Sequence, residues 1–170
     1  MKALLFAVVA TTLSCGNGSV PSQHVQIAHL GFDVPDDWRN ADTERNGLVT
    51  SVWTPANNDH KESITVIRSE RSPAVASARI STIESLLASA QSPGARVSPA
   101  QLVTTAQGLS GVRIEVDYVP PGLTASYHRV HVVLVDGTSL IHVLYTARSP
   151  DASLQTFNLV LGSLHEESQS

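Results

Sequence analysis

The chain has 170 residues, of which 42% are hydrophobic and 15% are charged, and its formal net charge at pH 7 is −4. The mild acidity and the scattered lysines and arginines exclude the basic stripe that nucleic-acid-binding domains present, so nucleic acid is not an expected partner. A domain of this size buries roughly two thirds of the surface of its unfolded chain, so it can fold without a disulfide or a structural metal. The single cysteine agrees with this.

The first fourteen residues have the pattern of a secretory leader. Lys2 is the only charge in front of an unbroken apolar run from Ala3 to Ala10, and small and polar residues follow up to Ser14. A short apolar run behind one positive charge is typical of signal peptides and is too short to span a bilayer. We therefore predict a lipoprotein signal peptide over residues 1–14, which ends at the only cysteine, Cys15.

The position of Cys15 resembles the lipobox of bacterial lipoproteins, in which a cysteine after a small residue becomes lipid-modified and N-terminal. This resemblance implies a stable membrane anchor, since two acyl chains hold a protein where one is marginal. Thr12 stands where the lipobox prefers leucine, so ordinary leader cleavage that leaves a free thiol is the alternative. Residues 15–24, with Gly, Ser and Asn, are typical of a flexible spacer. Residues 25–170 then form a single domain.

Within the domain, alternating apolar and polar runs bounded by Pro, Gly and polar clusters predict strands. The predicted strands cover residues 25–29, 30–35, 48–54, 63–68, 112–118, 127–135 and 138–147, with a weaker extended segment over 96–107. Ser72-Pro73 and Ser149-Pro150 are helix-start signals, and the second precedes an apolar stripe at helical spacing. Consecutive strands joined by turns, with only two helices, predict an α+β domain with a mostly antiparallel β-sheet.

Three segments resemble the PsbP-like superfamily, which includes PsbP and bacterial lipoproteins of the DcrB and LpqN type. The run Phe32 to Trp38 is similar to an apolar-X-Val-Pro-X-X-Trp turn, Trp53-Thr54-Pro55 to a second recurring patch, and the segment from Tyr145 to the last helix to the closing strand and helix. The resemblance implies an antiparallel sheet sandwiched between α-helices. It also implies a role in binding or assembly, without catalysis.

The segment around Asp136-Gly137 is the strongest hairpin signal in the chain. A two-residue loop at these positions predicts that His131 lies directly opposite His142. If the strand over 112–118 turns back into this hairpin at Pro120-Pro121-Gly122, its odd-numbered residues lie on the face of the histidines, and Glu115 is one of them. Two imidazoles and a carboxylate are a ligand set typical of zinc, so these three residues are a predicted metal site.

An alternative is that the two histidines pack under a helix or face solvent, with Glu115 paired to Arg129. The predicted position of Arg129 on the same face favours this alternative, since a guanidinium repels a cation. No nucleophile elbow, phosphate-binding loop, dinucleotide fingerprint or zinc-protease motif is present in the sequence, so we predict no enzymatic activity and no cofactor. We expect Trp38 and Trp53 in the core.

The sequence thus predicts a non-catalytic protein of the bacterial cell envelope, anchored through Cys15 to the outer membrane and facing the periplasm. Its predicted role is to bind or scaffold another envelope protein. The alternative is a metal-binding envelope protein, or less favourably a hydrolase, that uses His131, His142 and Glu115. A third possibility is a purely structural tether to an unknown partner.

Overall fold

The computed structural model describes residues 20–27, 29–40, 43–45, 48–57, 62–70, 94–137, 139–149, 152 and 154–167. The predicted leader, the lipidation of Cys15 and the helix predicted from Ser72 lie outside these residues. Within these ranges, no helix combines the length and the apolar character that crossing a membrane requires.

The described residues form twelve strands and one helix. These are β1 (Ser22–Ile27), β2 (Leu30–Pro35), β3 (Trp38–Asn40), β4 (Thr43–Arg45), β5 (Leu48–Pro55), β6 (Glu62–Glu70), β7 (Arg96–Val97), β8 (Gln101–Thr104), β9 (Ser110–Tyr118), β10 (Tyr127–Asp136), β11 (Ser139–Arg148), α1 (Leu154–Ser163) and β12 (His165–Glu166). Because β1 begins at Ser22, the last three residues of the predicted spacer lie in a strand.

Nine strands form one antiparallel sheet. Seven of them follow one another in the order β3-β5-β6-β11-β10-β9-β7. The short strand β4 lies beside β3 on the outer edge of β5, and β8 lies beside β7 on the outer edge of β9. The remaining strands form a small antiparallel sheet in the order β1-β2-β12. The prediction of a mostly antiparallel sheet is therefore confirmed.

The main core lies between one face of the nine-stranded sheet and a layer made of α1 and the small sheet. The side chains of Phe32 from β2 and Phe157 from α1 are fully buried in this core, as is Tyr145 from β11. Burial of one such side chain contributes roughly 1.5–3 kcal/mol. Trp38 and Trp53 are also buried there, which confirms the expectation that they are core residues.

A second apolar cluster lies on the opposite face of the nine-stranded sheet. Its buried members are Val112, Ile114, Val116 and Val133. The central strands are therefore apolar on both faces.

The register of the central hairpin differs from the prediction. Asp136 pairs with Ser139, so the two-residue loop begins at Gly137, whose φ of 48° is accessible to glycine without steric cost. His131 consequently lies opposite Leu144, and His142 opposite Val133. The predicted direct opposition of the two histidines is wrong. The partner of each residue shifts by two positions, however, so both side chains stay on one face.

The prediction of which β9 side chains share a face with His131 is also wrong. Tyr118 pairs with Tyr127, which places the alternate residues Val112, Ile114 and Val116 on the face of His131. Glu115 therefore lies on the opposite face, toward the main core. The eight-residue loop over 119–126 does not fix a register as a two-residue loop does. Because both faces of β10 are apolar, the hydrophobic pattern could not choose between the two phases.

Candidate functional site

His131 and His142 are diagonal neighbours on adjacent strands and contact each other through their rings. Nε2 of His131 lies 3.2 Å from Nδ1 of His142, and the ring centroids are 5.5 Å apart. Burial lowers the pKa of His131 to about 4, with smaller contributions from His142 and Arg129. Burial also lowers the pKa of His142. Both rings are neutral at pH 7, and an N–H of one ring donates to a nitrogen of the other.

Arg129 lies beside this pair but is not bonded to Glu115. Its guanidinium donates to Thr146 Oγ1 at 3.2 Å and to the Tyr118 hydroxyl at 2.6 Å, and it lies 4.8 Å from the centroid of the Tyr118 ring. These contacts hold a fixed positive charge on the face of the two histidines.

Glu115 lies on the other face of the sheet, beside Arg113 and His128. Its carboxylate accepts a hydrogen bond from Arg113 at 2.6 Å and lies 3.5 Å from Nε2 of His128. The structure therefore does not bring Glu115 to His131 and His142, and the predicted set of three ligands does not form. The histidine pair alone offers two nitrogen donors, whereas zinc sites use three or four protein ligands.

A different cluster of ligand-type side chains lies on the small sheet. His24 on β1, His165 on β12 and Glu167 after β12 place their donor atoms within 4.8 Å of one another. Nε2 of His24 is 2.8 Å from Glu167 Oε1, and Nε2 of His165 is 3.6 Å from the same oxygen. We call these three residues the β1–β12 cluster.

Further contacts orient the two imidazoles of the β1–β12 cluster. Nδ1 of His24 donates to Asp33 Oδ1 at 2.8 Å, and Nδ1 of His165 donates to the backbone carbonyl of Ser163 at 2.8 Å. Hydrogen bonds to Asp33 and Glu167 raise the pKa of His24. The sequence analysis missed this cluster because His24 and Glu167 are 143 residues apart and no local motif joins them. Only the pairing of β1 and β12 with β2 brings them together.

The exposed apolar side chains lie on the two short strands paired with β9 and on the loop that follows it. Four large hydrophobic residues in the described part of the chain are between 43% and 73% exposed: Val97, Leu102, Val119 and Leu123. Val97 and Leu102 belong to β7 and β8, and the other two belong to the loop after β9. We call this region the β9 edge surface.

A cavity of about 390 Å³ opens at the same edge. Its lining combines polar and apolar groups: Gly94, Arg96, Asp117, Tyr118, Val119, Ser126 and Ser149. Val119 thus belongs both to the cavity and to the β9 edge surface.

Comparison with solved structures identifies the class of fold. The solution structure of cyanobacterial PsbP from Synechocystis superposes with a TM-score of 0.59 over 90% of this chain and 97% of that protein, at 20% identity. A crystal structure from Bacteroides thetaiotaomicron has the same TM-score at 13% identity and covers 83% of this chain. This chain spans 46% of the length of that Bacteroides protein.

The chain therefore has a PsbP-like fold. A protein of unknown function from Pseudomonas aeruginosa, PA94, also superposes, with a TM-score of 0.47, 11% identity, and coverage of 76% of this chain and 85% of that protein. No protein-family model matches the chain, and no curated protein matches it either.

Proposed function

We propose that this protein is a non-catalytic, lipid-anchored protein of the bacterial cell envelope, and that it binds another envelope protein through the β9 edge surface. The observation that carries the proposal is that the large exposed hydrophobic side chains of the described residues all belong to the strands β7 and β8 beside β9 or to the loop after it. The PsbP-like fold agrees with a binding role, although fold alone does not define function.

The β9 edge surface has the composition of a binding surface. Leu102 is 73% exposed, and Val119 and Leu123 are each about half exposed. Apolar groups gathered on one part of a surface, with polar groups beside them, mark interaction sites more often than single scattered ones do. Arg96 and Asp117 at the cavity supply one basic and one acidic side chain. The surface thus suits a protein partner that presents apolar side chains with a polar rim.

The anchor rests on the sequence pattern that ends at Cys15. In this proposal two acyl chains hold the cysteine in the outer membrane, and the spacer lets the domain face the periplasm. We also propose that the sheet is sandwiched between α-helices, as the resemblance to the PsbP-like superfamily implies.

The anchor is tested by mass spectrometry of the protein from membrane fractions of its native host. We expect diacylglyceride mass on Cys15, and we expect a Cys15→Ser variant to move to the soluble fraction. A soluble wild-type protein with an unmodified thiol would overturn the anchor, and ordinary leader cleavage would explain that result.

The partner surface is tested by site-specific photo-crosslinking in the native envelope. A photoreactive amino acid at Leu102 or Leu123 is expected to capture the same protein, which mass spectrometry then identifies. Asn158, which is exposed on α1, is the control position. The proposal fails if the two edge positions capture nothing, or if Asn158 captures the same protein with equal yield.

A second candidate function is metal binding at His131 and His142. The contact of 3.2 Å between their nitrogens favours it, since both rings are neutral and neutral imidazole is the form that binds metals. Isothermal titration with Zn²⁺, Cu²⁺ and Mn²⁺ tests it: binding that is lost in both His131→Ala and His142→Ala would support this candidate. Binding that both variants retain would exclude it.

A further inference from the structure

We propose that the β1–β12 cluster binds a divalent transition-metal ion such as Zn²⁺, with Nε2 of His24, Nε2 of His165 and the Glu167 carboxylate as ligands. This site is separate from the histidine pair of β10 and β11, and it goes beyond the proposed binding function. The three donor atoms already lie within 4.8 Å of one another.

The ligand types specify the class of metal. Two imidazole nitrogens and one carboxylate oxygen form one of the sets that zinc uses when one coordination position stays open. Ca²⁺ and Mg²⁺ prefer sites made of oxygen alone. Among divalent ions of the first transition row, nitrogen-containing sites bind Cu²⁺ and Zn²⁺ more strongly than Mn²⁺.

The distances fit an ion after small side-chain movements. Ligand atoms around tetrahedral zinc are roughly 3.3 Å apart, given zinc–ligand bonds of about 2.0–2.1 Å. The present distances from Glu167 Oε1 to the two Nε2 atoms, 2.8 and 3.6 Å, lie on either side of this value. The side chain of His24 is 48% exposed, so a small shift of its ring displaces no core residue, and water can take the open position.

Hydrogen bonds to the other ring nitrogens prepare both histidines for this role. A carbonyl oxygen only accepts, so the contact from His165 to Ser163 selects the neutral tautomer with its hydrogen on Nδ1 and its lone pair on Nε2. Asp33 accepts a hydrogen bond from Nδ1 of His24. A carboxylate behind a ligating histidine is a common arrangement that fixes the ring and increases its basicity. On metal binding, the proton on Nε2 of His24 is released to solvent.

The backbone leaves space for the three ligands at Gly31. This residue of β2 is buried and pairs with His165. A Cβ at this position would lie 2.6 Å from Glu167 Oε1 and 2.9 Å from Nε2 of His165. The backbone N–H of Glu167 donates to the His29 carbonyl at 2.7 Å. The main chain therefore holds Glu167 beside a position where no side chain competes for the space.

The test is isothermal titration of Zn²⁺ into the Cys15→Ser protein, because a free thiol would itself bind zinc. We expect one ion per chain at micromolar affinity, and an increase in melting temperature with zinc. Substitution of one ligand, in His24→Gln, His165→Gln or Glu167→Gln, should weaken binding by at least about tenfold, and Asp33→Asn by about tenfold or more. His128→Gln is the matched control, since His128 also contacts two carboxylates, and it should leave the affinity unchanged.

Gly31→Ala is a second test that removes no ligand. Its Cβ is expected to displace Glu167 and His165 and to weaken zinc binding, while circular dichroism confirms that the variant is folded. The intensity of Co²⁺ absorption in the visible range reports whether the bound ion is four- or five-coordinate, and Gly31→Ala is expected to change it.

Two results would overturn the proposal. One is the absence of zinc binding by the folded protein at millimolar zinc. The other is full retention of binding in the three ligand variants, with loss in His131→Ala, which would place the ion at the histidine pair. Neither result affects the partner surface, because photo-crosslinking at Leu102 and Leu123 does not depend on metal.

Discussion

At the scale of single residues, the burial of His131 and His142 makes stability depend on pH. The folded protein keeps His131 neutral down to about pH 4, whereas a histidine in the unfolded chain has a pKa of about 6.5. Between these values the unfolded state binds more protons, so the free energy of unfolding falls as the pH decreases from 6.5 toward 4. One histidine contributes a slope of up to about 1.4 kcal/mol per pH unit, and His142 acts in the same direction.

Urea unfolding at a series of pH values measures this slope. Because carboxylates also titrate at low pH, the relevant quantity is the difference between the wild type and His131→Gln, which should lose part of the slope. Equal slopes in the two proteins would show that His131 is not held neutral.

His24 has the opposite effect on stability, because its pKa is raised in the folded protein. Its contribution to the free energy of unfolding is fully present below pH 6.5, the pKa of an unfolded histidine, and is lost as the pH rises through the pKa of the folded state.

Gly111 is a position where any side chain would collide with a neighbouring strand. A Cβ there would overlap the carbonyl oxygen of Val133 and lie 2.8 Å from the Cα of Leu134. These are backbone atoms of β10, which cannot move without breaking the ladder. Gly111→Ala is therefore expected to reduce the free energy of unfolding by roughly 1–3 kcal/mol or more, measured by urea unfolding.

Gly162 provides the control for this prediction. A Cβ at Gly162 on α1 would have no neighbour within 4 Å, and alanine is the better helix former. Gly162→Ala should stabilise the protein by about 0.5–1 kcal/mol. If both substitutions had the same effect, backbone overlap at Gly111 would not be the cause.

At the scale of elements, Ser163 joins the end of α1 to β2. Its hydroxyl accepts a hydrogen bond from the backbone N–H of Asp33 at 2.8 Å and donates to the Leu159 carbonyl at 2.8 Å. Ser163→Ala removes the acceptor of a partly buried N–H, which costs about 1–3 kcal/mol. Urea unfolding should show this loss, and faster hydrogen exchange at the Asp33 amide should accompany it. Ser163→Thr keeps the hydroxyl and should retain most of the stability; an equal loss in both variants would contradict this explanation.

Two elements show which parts of the fold can be predicted from local patterns in the sequence. The strand over 30–35 has the predicted bounds, because Pro35 cannot donate to a ladder and a turn follows it. The helix Leu154–Ser163 begins four residues after Pro150, the predicted first helical position, but it buries Phe157, as its apolar stripe predicts. In both cases the decisive contacts are within a few residues of one another.

At the scale of the whole molecule, the two sheets share one core and should unfold together. Phe32 and Val34 of the small sheet belong to the same buried cluster as Trp38 and Trp53. We expect tryptophan fluorescence, far-ultraviolet circular dichroism and hydrogen exchange at the Phe32 amide to report one urea transition. Loss of protection at Phe32 at a lower urea concentration than the fluorescence change would show that the small sheet unfolds separately.

The sequence by itself determined the long strands, the last helix, the mostly antiparallel sheet and the two core tryptophans. Each of these depends on a local period or on a turn residue, whose physical effect reaches only a few positions along the chain. Only the tertiary structure decided the register of β9 and the gathering of His24, His165 and Glu167. A slip of one residue moves every side chain of a strand to the other face, and this is why Glu115 lies away from the histidine pair. Across a long loop, the packing of both faces selects the register, and no local pattern of residues contains that information.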